Sequence, residues 1–64
     1  MTIVGYRGKL NVTALIGALV KHTNMNKADA NKMAQKIEAG QSVSFDSNFL
    51  LEEDLKDLGV LISH

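Results

Sequence analysis

Residues 11–40 read NVTALIGALVKHTNMNKADANKMAQKIEAG, and the spacing within them decides the fold. Val12, Leu15, Ile16, Leu19 and Val20 recur at i, i+3, i+4, i+7 and i+8, so a helix gathers them on one apolar stripe. Asn11 stands just before that stripe, where a side-chain oxygen can accept from opening backbone N–H groups that have no partner in the helix. Opposite the stripe lie Ala14, Gly17, Ala18 and Lys21. Glycine inside a helix costs roughly 1 kcal/mol relative to alanine, and its missing side chain suits a face that something approaches closely. His22 to Asn26 form a polar turn in which Met25 plugs the core. Asn26 caps a second helix, Asp29 favours its positive end, and Ala30, Met33, Ala34 and Ile37 make the second stripe. Gly40 ends that helix, because glycine takes a positive φ without strain. Two helices of about three turns each cannot cover both stripes. The rest of the chain must.

Thr2 to Tyr6 are β-branched and aromatic around Gly5, which predicts a strand with a bulge or an edge position. Ser42-Val43-Ser44-Phe45 alternates with a period of two and predicts a strand with one buried face. Asp46-Ser47-Asn48 is a turn or cap cluster. Leu51 to Leu58 predicts a short helix with Leu51, Leu55 and Leu58 inward and the carboxylates Glu52, Glu53 and Asp54 in its first turn. Phe49 and Leu50 fit either that helix or the strand before it. Gly59 closes the helix, and Val60-Leu61-Ile62 is a last strand. The expectation is α+β: residues 1–64 as a single small two-layer β-α-α-β-α-β domain, three short strands with three helices on one face.

Composition narrows the function classes. Sixty-four residues with 45% apolar and 22% charged side chains describe one ordinary globule near the lower size for a lone hydrophobic core. Cysteine is absent, which excludes disulfides and thiolate metal sites. No apolar run nears the roughly 20 residues that span a bilayer, and the N-terminus has no secretory leader pattern, so the expected location is cytoplasmic with no membrane partner. Net charge is zero but polarised. Arg7, Lys9, Lys21, Lys27, Lys32 and Lys36 precede residue 37, where Asp29 is the only acid, while Glu38, Asp46, Glu52, Glu53, Asp54 and Asp57 follow it. Either the two halves attract each other, or one half meets an oppositely charged partner.

The segments Val20-Lys-His-Thr-Asn-Met-Asn-Lys-Ala-Asp-Ala30 and Glu52-Glu-Asp-Leu-Lys-Asp-Leu-Gly-Val60, in this order of elements, resemble the C-terminal domain of the bacterial ribosomal stalk protein. Thr23, Met25, Ala30 and the Leu58-Gly59-Val60 junction stand in comparable places. The pattern is similar also to the adaptor of the Clp protease. The resemblance implies a domain that binds other proteins: translation GTPases for the stalk, the protease and substrate N-termini for the adaptor. The stalk's binding face carries an Ile-Lys pair and an Arg on its first helix; the aligned positions here are Ile16-Gly17 and Val20. A weaker likeness runs to histone-like DNA-bending proteins, whose basic β-arms this chain lacks.

The candidate partner-binding surface is Ala14, Gly17, Ala18 and Lys21, with Lys32 and Lys36 from the second helix. Small side chains admit a partner backbone and lysines steer acidic groups; the alternative is that the small residues admit another element of the same chain. His22 and His64 are the only histidines, and neither belongs to a spacing that supplies a metal's ligands. Glu52-Glu53-Asp54-Asp57 lacks the calcium-loop pattern. No nucleophile is paired with a base and no glycine-rich phosphate loop occurs, so neither enzyme activity nor a cofactor is expected. The expected function is a small adaptor or inhibitor that docks on a larger protein, the kind of accessory protein a phage or mobile element encodes. Nucleic-acid binding through the lysines of the helix pair is the second reading, and a homodimer that completes its own core the third.

Overall fold

Asparagine opens every helix. Asn11 Oδ1 accepts from Ala14 N at 3.1 Å, Asn26 Oδ1 from Asp29 N at 2.8 Å and Asn48 Oδ1 from Leu51 N at 3.1 Å. Each cap satisfies a donor that its helix leaves unpaired. The helices so started are α1 (Val12–His22), α2 (Lys27–Glu38) and α3 (Phe49–Asp57). The computed structural model describes residues 1–46 and 48–63; Ser47, in the expected turn, and His64 lie outside the described residues. Phe49 and Leu50 belong to α3, because Asn48 and not Leu50 supplies the cap.

The strands are β1 (Thr2–Tyr6), β2 (Val43–Ser44) and β3 (Val60–Ser63), so the order along the chain is β-α-α-β-α-β. They form one antiparallel sheet in the order β2-β1-β3. Ile3 faces Val43 on one side and Ile62 on the other, which lines three apolar residues across the core face. Register slips between Ile3 and Gly5, which pairs with Leu61. Gly5 therefore sits at a bulge in the central strand, not at an edge. β2 is shorter than the expected Ser42–Phe45, although Phe45 N still donates to the Met1 carbonyl at 2.9 Å.

Two glycines turn the chain from helix to strand. Gly40 (φ +85°) and Gln41 donate to the Ile37 and Lys36 carbonyls, both at 3.0 Å, the bonding of a Schellman motif. The Tyr6 hydroxyl donates to the Glu38 carbonyl at 2.9 Å and ties that helix end to β1. Gly59 (φ +83°) donates to the Lys56 carbonyl at 3.0 Å and accepts from Arg7 N at 2.8 Å. A Cβ at Gly59 would lie 3.4 Å from the Arg7 carbonyl oxygen in a left-handed backbone conformation.

α2 packs on β1 and β2, α3 on β3, and α1 on α2 and α3. Ile3, Leu15, Leu19, Ile37, Leu51 and Leu55 are fully buried and form one core with Ala30, Ala34, Val43 and Val60; Met25 packs half-buried against it, as its place in the turn predicts. The stripe on α1 is rotated from the one its spacing suggests. Leu15, Ala18 and Leu19 are buried, Val12 and Ile16 are half-buried, and Val20 is 41% exposed. A helix seated on two other helices buries the strip that faces the cleft between them, and Leu15, Ala18 and Leu19 are that strip. Among the described residues no helix is long and apolar enough to cross a membrane.

Candidate functional site

α1 is apolar around most of its circumference. Val12, Ala14, Leu15, Ile16, Ala18, Leu19 and Val20 leave only Thr13, Gly17, Lys21 and His22 outside that class. A helix of this kind is expected to be enclosed, yet its neighbours α2 and α3 cover only part of it. Thr13, Ile16, Gly17, Val20 and Lys21, together with Lys27 at the start of α2, line an open groove of about 520 Å³. A shallower groove of about 210 Å³ runs along the other flank, between Ala14, Gly17, Ala18 and Lys21 of α1 and Asp54, Asp57 and Leu58. Gly17 and Lys21 are shared by both.

Gly17 is exposed, and a Cβ built on it meets nothing within 4 Å. Its backbone φ is not positive. Neither packing nor conformation within this chain calls for glycine there. Lys21 and Lys27 are exposed and form no ion pair with another described residue. The groove is thus an apolar trough with two lysines on its rim.

Four of the six residues expected at a partner-binding surface come together. Gly17 and Lys21 lie open at the two grooves, Ala14 is half-buried beside them, and Ala18 is buried, its methyl group part of the core. Lys32 and Lys36 are exposed on α2 but line neither groove. Ile16, Val20, Thr13 and Lys27 complete the trough. Sequence spacing places Ile16 and Val20 in the core stripe; Ile16 is half-buried and packs against the core while lining the groove, and Val20 is exposed. The signal for the exposed part is the width of the apolar surface on α1, greater than two neighbouring helices can cover.

His22 has a structural part. Its side chain is only 11% exposed, and Nε2 lies 2.6 Å from Asp54 Oδ2. An ionised carboxylate can only accept, so Nε2 carries the proton of this bond. Asn48 Nδ2 donates to the His22 carbonyl at 2.7 Å, so a single asparagine caps α3 and ties it to the end of α1. Thr23 Oγ1 donates to the Leu19 carbonyl at 2.5 Å and accepts from Met25 N at 3.1 Å, which shapes the turn into α2. Lys56 and Glu52 pair at 3.3 Å one turn apart on α3. Among the described residues no three His, Cys, Asp or Glu side chains gather as a metal-ligand set.

By fold, the chain is a small α+β domain with an antiparallel three-stranded sheet. No family model, no curated protein and no solved structure matches it.

Proposed function

We propose that this chain is a protein-interaction domain, an adaptor or inhibitor that docks on a larger protein through the outward face of α1. The observation that carries the proposal is Gly17, at the groove between Ile16 and Lys21 with open space above it. A mid-helix glycine costs roughly 1 kcal/mol. A partner backbone lying against α1 would make use of the space, while Ile16 and Val20 supply apolar contact and Lys21 and Lys27 attract acidic groups. The resemblance of the sequence to the stalk and Clp-adaptor domains points to the same class of activity.

The test is a tagged pull-down from bacterial lysate with and without nuclease, beside a Gly17→Glu, Lys21→Glu variant. The captured protein is then purified and titrated into isotope-labelled chain. Docking as proposed shifts the amide signals of Thr13, Ile16, Gly17, Val20, Lys21 and Lys27 and is abolished in the variant. Capture that disappears with nuclease, with shifts centred on Lys32 and Lys36, would replace the proposal with nucleic-acid binding.

A further inference from the structure

The two most exposed large apolar side chains of the described residues stand at the start of α3, away from the groove lining. Phe49 is 71% exposed and Leu50 62% exposed, at the first two positions of α3. Asp46 precedes them and Glu53 follows one turn on; both acids are exposed and neither is ion-paired with a described residue. The groove has the converse character: Ile16 and Val20 beside Lys21 and Lys27, neither lysine ion-paired with a described residue. No residue of α3 lines that groove, so the chain does not fill it with its own α3 tip.

We infer that the α3 tip of one copy seats in the α1 groove of a second copy. The fit is of charge and of apolar surface together. Phe49 and Leu50 enter an open trough of about 520 Å³. Asp46 and Glu53 approach Lys21 and Lys27 on its rim. Desolvating two apolar side chains supplies the attraction, and the charges set orientation and register. The two patches differ, so the contact is head-to-tail: each copy offers a free tip and a free groove, and association continues beyond two unless it closes on itself. A contact resting on two side chains is weak and assembles at high protein concentration. This association shares the groove with the docking function but needs no foreign partner, so a failed pull-down leaves it standing.

The experiment is sedimentation equilibrium of the purified chain up to millimolar concentration, with two variants. Val20→Glu with Lys27→Glu spoils only the groove, and Phe49→Ser with Glu53→Lys spoils only the tip. Wild-type mass should rise with concentration and fall back with added salt, and each variant alone should remain monomeric, its association weakened by about tenfold or more. Mixed in equal amounts, the two variants should form a pair that neither forms alone, because one contributes an intact groove and the other an intact tip. The pair should grow no further. A wild type that stays monomeric throughout, or a mixture no heavier than its components, overturns the inference. Should either variant fail to fold by circular dichroism, a dilution series of the isotope-labelled wild type decides. Concerted shifts at Gly17, Val20, Phe49 and Leu50 support the contact, and shifts confined to the β3 edge refute it.

Discussion

α1 and α2 are joined by one turn and packed together, yet they meet water in opposite ways. α2 buries Ala30, Ala34 and Ile37 and presents Asp29, Lys32, Gln35 and Lys36 to solvent, so apolar and polar faces separate cleanly. α1 buries Leu15, Ala18 and Leu19 and still leaves Ile16 half-buried and Val20 exposed. Composition accounts for the contrast. α2 spends its polar residues on the whole outward face, whereas α1 has Thr13, Lys21 and His22 as its only polar side chains, and His22 is turned towards Asp54. A helix more apolar than its own fold can cover leaves exposed the kind of surface that the proposed docking would use. α2 supplies stability; α1 supplies stability on one side and leaves an open apolar groove on the other.

The comparison breaks most visibly on the buried side of α1. Leu19→Ala removes a fully buried side chain and should cost about 2–5 kcal/mol, enough to unfold much of so small a domain; urea denaturation measures it. A cost under 1 kcal/mol would mean that α1 contributes little to the core. Gly59→Ala, at the α3–β3 turn, forces a left-handed backbone onto a side chain close to the Arg7 carbonyl and should cost roughly 1–2 kcal/mol. That loss should exceed the change at Gly17, and thermal melts of the two alanine variants rank them.

His22→Ala tests the link between α1 and α3. The imidazole is mostly buried but Asp54 is about half exposed, so solvent screening limits the loss to about 1 kcal/mol. A double-mutant cycle with Asp54→Ala should return a coupling of similar size. Gly17→Ala should stabilise the domain by about 0.5–1 kcal/mol, because the helix gains an alanine and the added methyl meets nothing. A destabilised Gly17→Ala would show that glycine serves the fold itself, and the case for a docking surface there would fall. Val20→Thr is the smallest change, within about 0.5 kcal/mol of wild type; the same substitution at a buried α1 position would not be silent.

Much of the architecture is legible locally. Asn11 and Asn26 cap α1 and α2 where the sequence places them, Gly40 and Gly59 take the positive φ expected of helix ends, and Ala30, Ala34 and Ile37 bury as their spacing predicts. These features depend on residues within one or two turns of each other, so a linear reading captures them. The reading fails where distant segments decide. Leu10 belongs to the core although it lies in the connection between β1 and α1, outside both elements. With Asn48 as its cap, α3 starts at Phe49, two residues before the expected Leu51, and the second bond of Asn48 reaches the His22 carbonyl from 26 positions away.

Apart from Phe49 and Leu50, the sequence by itself determined which stretches are helix and which are strand, because helical and strand periodicities and capping residues act over a few neighbours. It also determined the α+β class, since a helix pair and short strands with these stripes have few ways to hide them. Only the tertiary structure decided which side of α1 is inside. That choice rests on where α2 and α3 press against it. An apolar helix offers several nearly equivalent strips, and the docking of its neighbours selects Leu15, Ala18 and Leu19 for the core and leaves Ile16, Gly17 and Val20 to form the groove.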